Sequence, residues 1–195
     1  MDAYRHILAC LDLTGIDTWI IRYAAFTANL MESGKLTFIH VIQAYDLPES
    51  DQRSSQTERK VKEHIRWKIN EHLKEYDLQQ TEIEIFVKKE SRDAAQVVID
   101  YLADEEVDLT ILGKKADEER KEMYSDRILA HGESDMLLVP VSPRRRISNV
   151  LMALDLSSQS ERAFQLAMKV AAETKSGVAC QPLFALPARF FPFTG

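Results

Sequence analysis

The sequence predicts an α/β protein: a five-stranded parallel sheet with helices on both faces, followed by a partial second repeat. Two observations support this fold class. Short apolar runs alternate with amphipathic helical segments over residues 1–141, and this alternation is typical of parallel sheets whose crossover helices cover both faces. The chain after residue 149 then repeats the first strand and helix.

The first predicted strand covers residues 5–13 and is mostly apolar, as expected for a strand buried on both faces. Its last polar residue is Asp12, and turn residues follow. A helix comes next, with Asp17 or Thr18 as its predicted N-cap. The Ser-Gly pair at residues 33–34 is predicted to end that helix.

The next elements follow the same pattern. The second strand is predicted at residues 35–42, a polar loop at 44–56 and a long helix at 57–76. Residues 81–88 alternate apolar and polar side chains, which is typical of a strand at a sheet edge with one wetter face. An amphipathic helix is predicted at residues 91–105.

The last two predicted strands enclose a helix. Residues 107–113 form an apolar run that ends in Gly113, and another apolar run begins at Met136 and ends at Val141. Between them, apolar residues such as Ile128 recur at helical spacing. The turn after the first strand of such a βαβ unit faces a helix N-terminus, whose N–H groups can hold an anion.

A second copy of the first strand and helix follows a linker. Asp155 matches Asp12 at an offset of 155 − 12 = 143 residues, and the match continues without a gap to a Ser-Gly pair in each copy. The predicted domains are residues 1–141, a linker at 142–148, and the N-terminal part of a second, incomplete domain at 149–195. Such a fragment does not bury a core by itself, so the chain is expected to be the front part of a longer tandem protein.

Composition argues against several classes of protein. The chain has 25 basic and 31 acidic residues and a net charge of −6, which argues against nucleic-acid binding because phosphates need a basic face. No apolar run approaches the roughly 20 residues of a membrane span, and the N-terminus lacks a signal-peptide pattern. Cys10 lies in an apolar strand, which predicts a buried, reduced thiol and a cytoplasmic protein.

No catalytic or metal site is predicted. The chain contains no nucleophile elbow, P-loop or dinucleotide fingerprint. His64 and His72 lie two helical turns apart, but a solvated helix face explains them better than a metal site does. The protein is therefore predicted not to be an enzyme.

The order and the endings of these elements together match a known pattern. One strand ends in Asp12, the next ends in Ile39-His40-Val41, and the pattern DLTILG…ILAHGESDMLLVPV follows. In these features residues 1–141 resemble the universal stress protein family, and the repeat resembles the start of a second such domain in tandem members. The resemblance implies an adenine-nucleotide alpha hydrolase-like fold with strand order 3-2-1-4-5.

The resemblance also implies a ligand site at the carboxyl ends of the central strands. Many family members bind ATP there, and others do not. In the members that bind, an Asp at the end of the first strand lies near the nucleotide, which implies Asp12 and the adjacent Leu13 here. The end of the second strand contacts the adenine, which implies Val41. A glycine signature that begins at Gly113 holds the phosphates.

The glycine signature departs from the family pattern after its first position. Ala116 stands at the second glycine, and the loop is about four residues short. Four acidic residues there repel phosphate and four basic ones partly offset them: Asp117, Glu118, Glu119 and Glu122 against Lys114, Lys115, Arg120 and Lys121. Since glycines let N–H groups turn towards phosphate, tight ATP binding and a resident cofactor are not expected. The alternative is an ATP-binding stress sensor with a non-standard phosphate loop, in which weak ATP hydrolysis stays open.

The predicted function is a stress-response binding or signalling module that acts through dimerisation, and its protein partners are not identified by the sequence. By the family's strand order, the run from Met136 to Val141 is an edge strand, and an exposed apolar edge pairs readily. A homodimer is therefore predicted, with two edges antiparallel about a two-fold axis. Phe190, Phe191 and Phe193 are expected to add apolar surface. The alternative is a monomer whose tail covers its own edge.

Overall fold

A computed structural model describes residues 4–52, 54–114, 124–131, 134–144, 146–155 and 157–183. The chain divides into two compact units, residues 2–143 and residues 144–195. Two of the features interpreted above lie outside the described residues: the loop at 115–123, with Ala116, and the tail with Phe190, Phe191 and Phe193. The expectations about them stay predictions.

The described part of the first unit alternates strands and helices. Its strands are β1 (His6–Cys10), β2 (Lys35–Gln43), β3 (Glu82–Glu90), β4 (Leu109–Lys114) and β5 (Asp135–Pro140). Its helices are α1 (Asp17–Met31), the short α2 (Glu49–Gln52), α3 (Ser55–Leu73), α4 (Ala94–Asp104) and α5 (Tyr124–His131).

The five strands form one parallel sheet in the order β3-β2-β1-β4-β5. This confirms the predicted fold class and strand order, with β3 at one edge and β5 at the other. β1 lies at the centre: its Ile7 pairs with Leu36 on one side and with Leu109 on the other. All five β1 residues are buried, which explains why this strand is apolar at successive positions.

Helices cover both faces of this sheet, as predicted. On one face, Leu8, Cys10 and Leu112 of the strands pack with Val98 of α4 and Ile128 of α5. On the other face, α1 contacts β1 and α3, and α3 contacts β3. Successive strand residues point to opposite faces of the sheet, so each central strand contributes side chains to the packing on both faces. Cys10 is a free, buried thiol, as predicted, and burial raises its pKa.

The connection between β2 and α3 is more structured than the loop predicted at residues 44–56. A 3-10 turn spans Ala44–Asp46 and α2 follows it. α3 then begins at Ser55, because the side chain of Ser54 accepts the N–H of Gln56 at 3.2 Å. The polar composition correctly indicated a connection, but it did not indicate these short helical turns.

α1 ends just before the predicted Ser-Gly pair, on a residue that is not glycine. Glu32 adopts a left-handed backbone, with φ 54°, and Ser33 donates its N–H to the carbonyl five residues back at 2.9 Å. The end of the repeated helix is built in the same way. Lys175 has φ 54°, and Ser176 donates to the carbonyl five residues back at 3.0 Å. The repeat therefore extends to the backbone of both helix ends.

The second unit contains the parallel pair β6 (Asn149–Leu154) and β7 (Gly177–Pro182), joined by α6 (Ser158–Thr174). Its Met152 and Ala171 are buried. In contrast, Leu151 is 74% exposed, although its counterpart at 151 − 143 = 8 in the first copy, Leu8, is completely buried. The two copies share a local structure but not its burial.

Across the described ranges, every helix falls short of the length or the apolar composition that is needed to cross a membrane.

Candidate functional site

A cavity of about 550 Å³ opens at the carboxyl ends of β1, β2 and β4. All four residues that the family resemblance implies, Asp12, Leu13, Val41 and Gly113, line it. The lining is otherwise mostly apolar, and its further polar side chains are those of His40, Gln43 and Ser125. The position agrees with the general rule that open α/β sheets place ligands beyond the carboxyl ends of their strands. The binding roles of the four residues stay predictions.

A tight turn after β1 positions Asp12, the charged residue of the cavity wall. The Asp12 carboxylate accepts a hydrogen bond from the backbone N–H of Thr14 at 3.0 Å and one from its hydroxyl at 2.5 Å. Between them, Leu13 adopts a left-handed backbone with φ 63°. That conformation costs a residue with a Cβ about 1 kcal/mol. The side chain of Asp12 thus holds a turn that the local backbone alone disfavours.

The N-terminus of α1 is tied to this turn by a buried carboxylate. Asp17 is fully buried. Its oxygens accept the backbone N–H of Asp12 at 3.1 Å and the ammonium of Lys68 at 3.4 Å. Burial is the main reason that its pKa is raised above the ordinary value, although Lys68 and the Asp12 N–H act in the opposite direction.

These contacts correct the prediction that Asp17 or Thr18 caps α1. The N-cap is Ile16, which makes no side-chain cap hydrogen bond, because the Asp17 side chain points back to the end of β1. Lys68 belongs to the polar helix predicted at 57–76, yet its side chain is only 19% exposed.

The second unit contains a turn with corresponding hydrogen bonds, in which a serine hydroxyl replaces the carboxylate of Asp17. Asp155 donates its N–H to the hydroxyl of Ser160 at 3.0 Å, as Asp12 does to Asp17. The N–H of Ser157 donates to the Asp155 carboxylate at 3.0 Å. Hydrogen bonds from the serine hydroxyls lower the pKa of Asp155 to about 2. The offset of 143 residues pairs the position of Asp17 with that of Ser160, and the structure gives both side chains the same N–H partner in the turn.

The end of β2 presents backbone groups to the cavity. The pairing of β1 with β2 continues to Leu11, whose N–H donates to the carbonyl of Ile39 at 2.9 Å. Alternate residues of a strand direct their backbone groups to the same neighbour. Val41, two residues further, therefore directs its N–H and C=O to the side of β1 after β1 has ended. The Leu11 carbonyl instead accepts the Nδ1–H of His40 at 2.9 Å.

Gln43 joins the end of β2 to α4. With its amide oriented to suit its neighbours, its oxygen accepts the N–H of Ala94 at 3.1 Å, and its nitrogen donates to the hydroxyl of Tyr45 and the carbonyl of Arg92, each at 3.2 Å. The first N–H of α4 is therefore used by a protein side chain. Gln43 was not predicted from the sequence, because a single amide residue near a strand end forms no distinctive pattern.

The absence of a side chain at Gly113 allows close packing. A Cβ at this position would lie 2.9 Å from Cδ1 of Ile16 and 3.3 Å from Cδ1 of Ile20. Both isoleucines are buried and line the same cavity. The missing side chain therefore lets the start of α1 approach β4 closely. The phosphate role that the resemblance implies for Gly113 depends on the loop at 115–123 and stays a prediction.

We expect Gly113→Val to lower the free energy of unfolding by about 2 kcal/mol, because the added side chain overpacks the contact with Ile16 and Ile20. Valine favours strands, so propensity alone predicts the opposite sign. Gly15→Ala is the matched control: a Cβ there meets no atom within 4 Å and the backbone needs no glycine. It is expected to be neutral or slightly stabilising. Urea unfolding measures both, and equal midpoints would contradict the packing role.

The described wall of the cavity carries a single charge. Asp12 is its only charged residue, and within the described ranges neither a lysine nor an arginine lines it. Ser125 lies in α5 and also lines the cavity. Over the same ranges, His, Cys, Asp and Glu side chains form no group of three that could hold a metal ion.

Comparison with known proteins places this fold in a family. The model for the Universal stress protein family matches residues 3–140. The structure of universal stress protein UspA from Lactobacillus plantarum is 17% identical, with a TM-score of 0.54, over 71% of this chain and 99% of that chain. A universal stress protein from Archaeoglobus fulgidus DSM 4304 is 15% identical, with a TM-score of 0.65, over 92% of this chain and 66% of that chain.

A third similar structure is that of a universal stress protein in complex with cAMP. It is 12% identical, with a TM-score of 0.54, over 72% of this chain and 100% of that chain. At these identities the structures show a shared fold. No curated protein matches the chain.

Proposed function

Because the chain belongs to the universal stress protein family, we propose that it is a stress-response binding and signalling module that acts through dimerisation and does not hold ATP tightly. The loop after Gly113 carries the proposal. Its sequence has alanine at Ala116 in place of the second glycine of the phosphate signature, and it has as many acidic as basic residues. A phosphate cradle needs N–H groups that turn inwards without a Cβ in the way.

The packing of Gly113 supports the same proposal. Its missing side chain is explained by the contact with Ile16 and Ile20, so the presence of this one glycine is no evidence for a phosphate site. The wall described around it offers phosphate one carboxylate, Asp12, and no cation. The described wall thus gives a triphosphate none of the charge compensation that anion sites provide.

We expect calorimetric titration with magnesium-ATP to show no micromolar binding. A dissociation constant near 1 μM, about −8 kcal/mol, would overturn the proposal. Ala94→Trp is the control for location, because Ala94 lines the cavity and a bulky side chain there fills it. Heat that persists in this variant arises elsewhere on the protein.

An adenine-nucleotide sensor with a non-standard phosphate loop is the second candidate function. The observation that favours it is the cavity itself, which lies at the carboxyl ends of the strands and is lined by Asp12, Val41 and Gly113. Any nucleotide is expected to lie beside these residues. A nucleotide found at the amino ends of the strands would contradict this placement.

The homodimer of the proposal uses the edge strand β5. Asp135 donates its N–H to Asp108 on the β4 side at 3.0 Å. Residues in alternate positions, Met136 and Leu138, therefore direct their backbone groups to the open edge. Pro140 has no N–H and ends this row of donors. An open edge that carries apolar side chains favours pairing with a second copy.

The remaining parts of the proposal concern chemistry and location. It assigns no catalytic residue and no metal. A net charge of −6 supports a protein that does not bind nucleic acids. Cys10 and Cys180 are both free thiols, which supports the predicted cytoplasmic location, where thiols stay reduced.

A further inference from the structure

We propose that His6, Thr37 and Glu84 form a proton-operated switch near the amino ends of the sheet. In one state the Thr37 hydroxyl donates its hydrogen to a neutral His6. In the other state a protonated His6 donates to Thr37, and Thr37 donates to Glu84. The three residues lie on the adjacent strands β1, β2 and β3, towards the end of the sheet opposite to the cavity.

The Thr37 hydroxyl has two acceptors within reach but only one hydrogen to donate. Its Oγ1 lies 2.9 Å from Nε2 of His6 and 3.5 Å from Oε2 of Glu84. When Nε2 carries no hydrogen, the shorter contact takes the Thr37 hydrogen. When Nε2 carries one, it donates to Oγ1, and the Thr37 hydrogen turns to Glu84. The protonation of His6 therefore decides the direction of both hydrogen bonds.

The hydrogen bonds of the ring assign its neutral form. A hydrogen bond with the Glu106 backbone raises the pKa of His6, as a ring N–H that donates to a carbonyl does. Nε2 faces Thr37, so the hydrogen of the neutral ring lies on Nδ1. Nε2 is then an acceptor, which corresponds to the first state of the switch, and the shorter distance from Thr37 to His6 agrees with that state.

Burial separates the centre of the switch from bulk water. His6 is 7% exposed and Thr37 is completely buried. The ring of Tyr101, on α4, packs against the imidazole at a steep angle, with the ring centroids 6.5 Å apart. The Tyr101 hydroxyl is itself buried and has no hydrogen-bond partner among the described residues. Because solvent does not replace a lost partner here, the Thr37 hydroxyl depends on His6 and Glu84.

Titratable and charged groups from the neighbouring elements face His6. They are Lys35 of β2, Glu84 of β3, Tyr101 of α4, Glu105 after α4 and Asp108 before β4. The Lys35 ammonium lies 2.9 Å from the Glu84 carboxylate and 3.5 Å from that of Glu105, while Asp108 accepts the backbone N–H of His6 at 2.9 Å. Protonation of His6 thus adds a second cation to a cluster whose carboxylates already hold Lys35.

The switch responds below the ordinary pKa of histidine. Burial is the main reason that the pKa of His6 is lowered from 6.5, and the charge of Lys35 acts in the same direction. The charges of Glu105 and Glu84 act in the opposite direction. The unfolded chain therefore binds this proton at a higher pH than the folded protein does. The stability that depends on a neutral His6 is complete above pH 6.5 and is lost progressively as the pH falls below it.

The test follows the ring nitrogens of His6 by NMR during a pH titration of the full chain with isotopically labelled histidine, and His6→Asn identifies the signals. At about pH 8, where the ring is neutral, we expect Nε2 to carry no hydrogen. Glu84→Gln is expected to lower the titration midpoint of His6, because the imidazolium loses the carboxylate that Thr37 connects to it. In Thr37→Val, which has no hydroxyl, the shift caused by Glu84→Gln is expected to be at most half as large.

Glu105→Gln is the matched control. Glu105 also pairs with Lys35 and its charge also raises the pKa of His6, but it contacts Lys35 rather than Thr37. Its effect on the titration midpoint is therefore expected to be equal with threonine or valine at position 37. Thr37→Ser keeps the hydroxyl and is expected to restore the full effect of Glu84→Gln. Circular dichroism confirms that the variants are folded.

Two results overturn the switch. The first is a neutral His6 that carries its hydrogen on Nε2, and this measurement needs only the wild type. The second is an effect of Glu84→Gln that is as large in Thr37→Val as in the wild type, since charge alone then links Glu84 to the ring. Neither result bears on ATP binding or on the dimer, which are measured separately.

Discussion

Replacing Asp17 by alanine is expected to lower the free energy of unfolding by about 3 kcal/mol, because a buried N–H and a mostly buried ammonium each lose a partner. The Asp17 carboxylate is fully buried and accepts the backbone N–H of Asp12 and the ammonium of Lys68. Alanine offers neither acceptor. Urea unfolding followed by circular dichroism measures the loss.

Two further variants separate the effect of burial from that of the hydrogen bond. Asp17→Asn keeps an oxygen for the Asp12 N–H, so its cost is expected to be less than half that of Asp17→Ala. Ser160→Ala removes the corresponding hydrogen bond in the second turn and the one that the Ser160 hydroxyl donates to Asp155. Both are exposed to solvent, so the expected cost is only about 1 kcal/mol. A loss for Asp17→Ala no larger than that for Ser160→Ala would contradict the argument.

The comparison between the wild type and Asp17→Asn depends on pH in a defined direction. Burial raises the pKa of Asp17 above its ordinary value of 3.8, so the folded state binds this proton more tightly than the unfolded state does. The stabilising contribution of the group is present below pH 3.8 and is lost as the pH rises through the raised pKa. Asparagine does not titrate. The stability advantage of the wild type over Asp17→Asn is therefore expected to shrink as the pH rises.

Replacing Leu138 by lysine is expected to weaken the proposed homodimer by at least about thirtyfold, roughly 2 kcal/mol. Leu138 lies on the open edge of β5 and is 39% exposed, so pairing with a second copy buries the remainder of its apolar surface. Two lysines brought together about a two-fold axis also repel each other. Light scattering at micromolar concentration measures the loss of the dimer.

Ile83→Lys is the matched control for this prediction. Ile83 lies on β3, at the opposite edge of the sheet, and is 37% exposed, so the variant adds the same charge at nearly the same exposure. The dimer is expected to survive in this variant. A wild type that is monomeric at micromolar concentration, or a Leu138→Lys variant that stays dimeric, contradicts the proposal. Circular dichroism establishes that both variants are folded.

The sheet was predictable from sequence because burial on both faces imposes a simple pattern. β1 is apolar at successive positions and β3 alternates, as expected for a central strand and an edge strand. The order of the strands came from the family resemblance, since an apolar run does not identify its neighbours. The sequence also predicted Asp12 and Val41 near strand ends, and each lies within two residues of the end of its strand. Their proximity was predictable because the carboxyl ends of parallel strands meet at one side of a sheet.

The polar interior of the site was not predictable from local patterns. An acidic residue in the first turn of a helix is typical of capping, so Asp17 was interpreted as a candidate cap. Its actual partners are the N–H of Asp12 and the ammonium of Lys68, which lies 51 residues away. Only the packing of α3 against α1 brings the Lys68 ammonium next to the Asp17 carboxylate. The role of Gly113 in packing likewise depends on the distance between α1 and β4, which a sequence does not state.

The duplicated turn also has a consequence for tolerance to mutation. Positions 17 and 160 correspond at an offset of 143 residues, but the Asp17 carboxylate is fully buried, whereas the hydrogen bond to the Ser160 hydroxyl is exposed to solvent. A substitution at Asp17 is therefore expected to cost more stability than one at Ser160, where water replaces the lost partner. In a library of single substitutions, we expect more folded variants at position 160 than at position 17.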